Sequence, residues 1–402
     1  MAYLVSRYPA VSHTFILREI QRLRVLGHTI FTASINAPDR AVQAMEPYER
    51  QEALDTFFVK AQGALGALSA LLYWCARSPI QLGGMLRMGL RLGKAGNLFY
   101  GLAYALEAAM VARWMKQHGL QHLHVHFGNA GAAVGVLVKR LVACQLSYTI
   151  HGPDEFDDIP GQHLPFKMQQ ADIVVCISQF AKGQLMRISQ PADWPKFQVC
   201  RLGVDPSQFA FTASRRVNTT VELLCVGRLS PAKGQILLVQ ACAQMRDRGL
   251  NFSLTLVGDG PDRGRIEKAI VDLQLGSHIC LTGSLNQEAV KAHFARADVF
   301  VLPSLAEGIP VVLMEAMSSG VPCVSTPVNG IPELIEHDCT GLLATPGDVD
   351  SLTRQLTRLI QQPQLRQSLA HAAHDKVLAD FDLNRNVSRL SQVFTNAQGV
   401  LA

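Results

Sequence analysis

The 402-residue chain has no CxxC pair and no cysteine cluster; its nine cysteines (75, 144, 176, 200, 225, 242, 280, 323 and 339) are scattered. That spacing excludes a disulfide framework and predicts reduced thiols packed as small hydrophobes in a reducing compartment. No stretch supplies the roughly eighteen charge-free apolar residues that a spanning helix needs. The first residues, MAYLVSRYPAVSHTF, lack the apolar region of a signal peptide because Arg7 and Pro9 interrupt it. A cytoplasmic protein is expected. Charge of one sign is also scarce: the net +5 is too mild to point to nucleic acid. With 48% hydrophobic and 17% charged residues the chain is too apolar to be disordered. Its length exceeds what one hydrophobic core normally supports, which predicts two domains.

One absence is local. Between Ala61 and Leu106 there is no acidic residue, while Arg77, Arg87, Arg91 and Lys94 fall within the block. In QLGGMLRMGLRLGK the last three cations are spaced by four and three, so they share one helical face opposite Leu and Met. Such a helix suits the surface of an anionic membrane. A core helix with a solvated basic edge satisfies the same pattern.

Strand-like runs alternate with helical patterns almost throughout, the signature of parallel α/β layers. In the second half VELLCV, FSLTLVG, HICLTG, DVFVLPS, PCVSTPV and GLLATP read as strands buried on both faces. Helices are predicted from Gln235, over Arg263 to Leu273, Asn286 to Ala297, from near Pro310, and over Val349 to Ile360. In the first half AYLVS and TIFTASI flank a helix from about Thr14 to Leu26, and HLHVHF, LSYTIHG, DIVVCIS and FQVCRLG follow. A boundary falls near Asp205 to Asn218. The predicted domains are 1–205 and 206–383, with residues 384–402 carrying a last helix that returns to the first domain.

The stretch EGIPVVLMEAMSSGVP sets Glu307 and Glu315 on either side of an apolar run. Ligands of open parallel sheets bind beyond the carboxyl ends of the strands, where Glu307 would sit after DVFVLPS. Glu315, about one and a half turns into the following helix, can face the same place. Pro310 suits the first helical position, and Gly308 permits close approach of a ligand. A carboxylate accepts two hydrogen bonds from a vicinal diol, while amides at a helix start favour an anion. A ligand with sugar hydroxyls and phosphates meets both demands. In GRLSPAKG, Arg228 and Lys233 occupy the equivalent place after VELLCV and can supply phosphate-binding charge.

GRLSPAKG, VGDGPDRGRI, ADVFVLPSLAEGIPVVLMEAMSSGVPCVST and TGLLATPGD, in this order over about residues 220–360, resemble the donor-binding half of retaining glycosyltransferases of the GT-B fold, the "group 1" or family 4 type. The first domain resembles their exopolysaccharide and colanic-acid branch through YPAVSHTFILREIQRLRVLGH, HVHFG and TIHGPDEF. The resemblance implies two facing Rossmann-like domains with a cleft between them. It implies that Arg228 and Lys233 hold the diphosphate of a UDP- or GDP-linked sugar, that Glu307, Gly308, Ile309 and Pro310 touch the donor sugar, and that Glu315 binds the ribose. His151 would reach the transferred sugar. Where the branch reads Ser-Glu-Thr-Phe this chain has Ser12-His13-Thr14-Phe15; Ser12, His13, His126 and Asp154 are the acceptor-side candidates.

The activity implied is transfer of a hexose, with retention, to a glycan or polyprenol-linked acceptor at the inner face of the plasma membrane, with neither cofactor nor metal. Arg228, Lys233 and helix-end amides would stabilise the leaving diphosphate. A retaining glycosidase places a carboxylate nucleophile at such a centre; Glu307 resembles it in type, but front-face departure and attack are expected. His122, His124 and His126 would share one face of a strand, the footing for a zinc site, though no carboxylate or cysteine accompanies them at ligand spacing. Gly258, Gly260 and Gly264 do not fit G-x-G-x-x-G, which removes the main support for an oxidoreductase. A sugar-nucleotide epimerase of the same fold and a non-catalytic sugar-nucleotide-binding protein remain as alternatives.

Overall fold

The computed structural model describes residues 1–10, 13–93, 96–211 and 219–399. Ser12, Lys94 and residues 212–218 of the boundary segment lie outside the described residues. The chain divides into two compact units, Met1–Cys200 with Val387–Ala402, and Arg201–Asn386.

The first unit holds a sheet of β1 (Ala2–Arg7), β2 (Phe31–Asn36), β3 (Phe57–Phe58), β4 (His122–His126), β5 (Gln145–Ile150), β6 (Ile173–Cys176) and β7 (Phe197–Val199) in the order β3-β2-β1-β4-β5-β6-β7. Every pairing is parallel. The chain winds outwards from β1 and then, across the helices after β3, restarts at β4 on the other side. Such a reversal opens a crevice at the carboxyl ends of β1 and β4 because the flanking connections leave on opposite faces. His126 ends β4, and His151 follows β5.

The second unit repeats the plan with β8 (Val221–Val226), β9 (Phe252–Val257), β10 (Ile279–Gly283), β11 (Val299–Leu302), β12 (Cys323–Ser325) and β13 (Leu342–Leu343), ordered β10-β9-β8-β11-β12-β13. Here the reversal lies between β8 and β11, paired through Val299↔Leu223 and Phe300↔Leu224. All four residues of β11 are buried, as its continuous apolar run requires in a strand covered on both faces. Leu352, Leu356 and Leu359 on the helix Val349–Gln361 recur at helical spacing and are buried in this unit's core.

The acid-free block folds as the helices Gly63–Arg77, Pro79–Leu92 and the start of Leu98–Gln117. On the middle helix Leu82, Met85, Gly89 and Leu92 are buried while Arg87 and Arg91 are exposed. A Cβ on Gly89 would lie 2.9 Å from the carbonyl oxygen of Gly101, so glycine is what lets these two helices touch. The first helix instead presents Leu65, Leu68 and Leu72 to solvent, at 82%, 54% and 61% exposure. Among the described residues no helix is long and apolar enough to cross a membrane. Cys176, Cys200, Cys225, Cys242 and Cys323 are buried as expected, but Cys75, Cys280 and Cys339 are exposed, Cys75 on the outer side of a helix, Cys280 on the edge strand β10 and Cys339 in a turn.

Candidate active site

After β8 the chain runs through Arg228 into a single turn, Pro231–Lys233, and enters the helix Gln235–Asp247 through Gly234. Gly234 has φ +65°, and any Cβ there would sit 2.2 Å from the carbonyl oxygen of Pro303, a contact that excludes every other residue. The loop after β8 therefore lies directly on the loop after β11. Leu305 and Ala306 both donate their N–H to the carbonyl of Ala232, at 2.8 and 3.2 Å.

This contact brings the predicted acid and base together. Lys233 Nζ donates to Glu307 Oε1 at 2.5 Å, and Ser304 Oγ donates to the same oxygen at 2.7 Å. Glu307 is only 6% exposed; a buried carboxylate requires such partners. Its Oε2 has no hydrogen-bond partner among the described residues. Arg228 is exposed and its guanidinium has no partner among the described residues, while Gln235 Nε2 donates to its backbone carbonyl at 2.9 Å. The two cations thus differ: one is paired with the acid, and the other is open.

Beyond Glu307 the chain passes through Gly308, Ile309 and Pro310 into the helix Val311–Ser318. Pro310 stands one place earlier than expected, at the cap, because its ψ of 116° is extended. Ile309 and Pro310 are buried and Gly308 is partly so. Glu315 is half-buried on the second turn, and Gly320, at φ +71°, ends the helix after Ser318 and Ser319.

In the first unit His151 lies with its Nε2 3.0 Å from His126 Nδ1. The rings of Phe15 and Phe127 stand 5.1 and 4.4 Å from its own. Phe127 holds φ +71°, a conformation uncommon for an aromatic residue. Burial, with the imidazoles of His126 and His13 beside it, pushes His151 well below the usual histidine range. His13 is partly buried, its Nδ1 3.2 Å from the carbonyl of Arg7 and its ring 5.1 Å from that of Phe127; burial lowers it too.

A family model, "Glycosyl transferases group 1", matches residues 207–376. The putative colanic acid biosynthesis glycosyltransferase WcaL of Escherichia coli is 33% identical over 282 residues, 66% of this chain and 69% of that protein. The chain belongs to the group 1 glycosyltransferases. The amylovoran biosynthesis glycosyltransferase AmsK of Erwinia amylovora is 29% identical over 410 residues, 98% of each chain. Anabaena Alr3699/HepE, solved in complex with UDP-glucose, matches this glycosyltransferase with a TM-score of 0.74 at 18% identity, over 98% of this chain and 99% of that one. The two Rossmann-like sheets are those of the GT-B class.

Within this glycosyltransferase one predicted site residue, His126, stands differently from expectation. His126 is 0% exposed, so it lines no cleft: the β4 strand is covered on both faces, and His126 meets only other buried groups. Asp154 is exposed. Next to it in HGPDEF the buried Glu155 accepts the N–H groups of Gly128, of His151 at 2.5 Å and of Gly152 at 2.8 Å and so ties this loop together. Burial pushes Glu155 up to about 7 against the pull of those three donors. Beside it Lys167 Nζ donates to the carbonyls of Gly128 and Asn129 at 2.9 and 2.8 Å, and burial lowers it to about 7. Spacing alone could not choose between adjacent acids; the signal was Gly152, whose φ of 151° turns the chain so that the third residue on caps it.

The strand histidines do acquire a carboxylate, from another element. Donor atoms of Glu19, His124 and His126 lie within 4.8 Å of one another. They are poor metal ligands as arranged, because His124 Nδ1 is held by Ser147 Oγ at 2.7 Å, His124 Nε2 by Thr149 Oγ1 at 3.0 Å, and His126 Nδ1 by His151.

Proposed function

We propose that this glycosyltransferase moves a hexose from a UDP- or GDP-linked donor to a glycan or polyprenol-linked acceptor in cell-surface polysaccharide assembly, with retention at the anomeric carbon. The observation that carries the reading is the Lys233–Glu307–Ser304 cluster at the β8/β11 reversal, with the open guanidinium of Arg228 on the same loop. The names of the relatives, colanic acid and amylovoran biosynthesis, support the polysaccharide role, and the UDP-glucose bound by the structural neighbour supports a uridine donor.

On this reading Arg228 and Lys233 hold the diphosphate, Glu315 holds the ribose hydroxyls, and Glu307 Oε2 accepts from a hydroxyl of the sugar, with the backbone of Gly308, Ile309 and Pro310 beside it. The bond from the anomeric carbon to the diphosphate oxygen breaks as the acceptor oxygen bonds on the same face, and the acceptor proton passes to the leaving phosphate. Cations fixed in advance stabilise the charge that develops there. A nucleophilic Glu307 is the less favoured route, since Oε1 is tied to Lys233 and Ser304. His151 is the first unit's contribution to transfer. No cofactor or metal is required, so turnover persists in EDTA.

For the acceptor, the first unit offers a cavity of about 520 Å³ lined by Asn36, Lys60, Phe99, Tyr100, Tyr104 and Glu107 among others. Aromatic faces beside a carboxylate suit a sugar ring. Exposed Leu65, Leu68, Leu72 and Ile80 beside Arg77, Arg87 and Arg91 support attachment to an anionic membrane, where a lipid-linked acceptor resides.

Thermal-shift screening of nucleotide sugars tests the donor assignment. A UDP- or GDP-sugar should raise the Tm of the wild type and leave Lys233→Ala unmoved. No response to any nucleotide sugar would reject the reading.

A further inference from the structure

Behind His151 runs a buried row of polar groups that the transfer reaction described above does not use. Tyr3 Oη donates to Glu19 Oε1 at 2.8 Å. The same oxygen stands 3.3 Å from His126 Nε2, off the axis of a hydrogen bond, and this nitrogen has no formed hydrogen bond. His126 Nδ1 in turn lies 3.0 Å from His151 Nε2. Tyr3 and His126 are 0% exposed and Glu19 5%, whereas His151 keeps 8%. The row opens at His151, whose Nδ1 has no partner among the described residues.

Elementary electrostatics orders the protons along this row. A bare lone pair on His126 Nε2 facing a carboxylate oxygen is repulsive where little solvent screens it, and an N–H there is attractive. A neutral His126 ring is therefore favoured with its proton on Nε2, which leaves its Nδ1 as an acceptor. The His151 Nε2 opposite must then donate, and a neutral ring has only one N–H to give. His124, edge-on to His126 at 4.9 Å, does not compete, because hydroxyls of Ser147 and Thr149 occupy both its nitrogens. Burial and the neighbouring imidazoles hold His124 and His151 well below the ordinary histidine range, which keeps both rings neutral.

We propose that Glu19, acting through His126, is a positioning residue that holds His151 in its Nε2–H tautomer, so that His151 Nδ1 accepts a hydrogen bond from a hydroxyl of the transferred sugar. An acceptor at that atom draws on the hydroxyl proton and raises electron density on the sugar as its anomeric carbon turns positive. The opposite tautomer would donate and withdraw density instead. This inference rests on the proposed part of His151 in transfer.

Ring-¹⁵N-histidine NMR of the wild-type protein reads the tautomer directly, with the His151 signal assigned by its loss in His151→Ala. Protonated Nε2 with bare Nδ1 is expected; a protonated Nδ1 overturns the proposal, and this measurement stands even if a variant misfolds. Glu19→Gln, whose amide can donate to His126 and reverse the row, should mix the His151 tautomers and lower kcat about 10- to 100-fold, with the KM for donor within about twofold. If His151→Ala turns over like the wild type, the underlying role of His151 fails. If His151→Ala is slow but Glu19→Gln keeps both kcat and a single tautomer, the Glu19 inference alone fails. Glu19→Gln added to His151→Ala should cost nothing further; stoichiometric zinc in the wild type that is lost in Glu19→Gln would overturn the proposal in favour of a metal.

Discussion

Lys233 Nζ and Glu307 Oε1 meet at 2.5 Å although 74 positions separate them in the chain. They meet because β8 and β11 are neighbours in the sheet and Gly234 lets the loop after one rest on the loop after the other. On the proposed reading a donor diphosphate would compete for Lys233, and Glu307 would keep its hydrogen bond from Ser304.

Replacing Lys233 with Ala should lower turnover by about 100-fold, the usual loss on removing one preorganised charge at a leaving group. It should also destabilise the fold, because Glu307 stays buried with Ser304 as its remaining partner among the described residues; with the Lys233 side chain 25% exposed the cost is about 1–3 kcal/mol. Adding Glu307→Gln should restore the Tm without restoring turnover. Recovery of turnover in the double variant would contradict a direct role for Lys233.

Glu315→Ala should raise the dissociation constant for UDP or GDP about tenfold, as loss of charge-assisted hydrogen bonds to a diol predicts. Isothermal titration measures it, and unchanged affinity would remove Glu315 from the nucleotide site.

Burial pushes Glu107 up from an ordinary 4.5 to about 7, against the weaker pull of Lys60 3.8 Å away. Between those two values the folded state binds more protons than the unfolded chain, so this group stabilises below pH 4.5 and loses its contribution as pH rises through 7. Glu107→Gln should therefore be more stable than the wild type at pH 8, by at most about 3 kcal/mol at ~1.4 kcal/mol per unit, and nearly equal at pH 4.5. Melting curves across that range would refute the assignment if the difference were constant.

Changing Leu65, Leu68 and Leu72 together to Gln should abolish co-sedimentation with anionic vesicles at low salt and leave the Tm almost unmoved, since all three are already in water. A wild-type protein that ignores such vesicles would dismiss membrane attachment altogether.

Most of the fold was legible before any coordinates. DVFVLPS carries a continuous apolar run that a strand covered on both faces accommodates, and the strand Val299–Leu302 lies within it; LSYTIHG instead alternates apolar and polar residues, and its strand starts one residue earlier, at Gln145. The helix Val349–Gln361 was equally plain from its leucine spacing. Among the elements the sequence does not disclose are the two-residue strand Phe57–Phe58, too short to show a period, the helices Ala130–Leu141 and Gln179–Ile188 of the first half, and the helix Pro363–Asp380, whose buried side, Leu369, Ala370, Ala373 and Val377, is a thin stripe half of alanine.

The site divided in the same way. Arg228, Lys233, Glu307 and His151 stand out as candidates in the sequence because ligands of parallel sheets bind at strand ends, and strand ends are visible in the order of residues. Which groups touch was decided only by tertiary structure. Glu19 reads as an ordinary charged position on an amphipathic helix, Tyr3 as a strand position and His126 as an acceptor-side candidate, and their buried meeting depends on β1 pairing with β4 across more than a hundred residues. Local chemistry sets what each side chain can do; long-range packing removes solvent from some of them and selects the partners that remain.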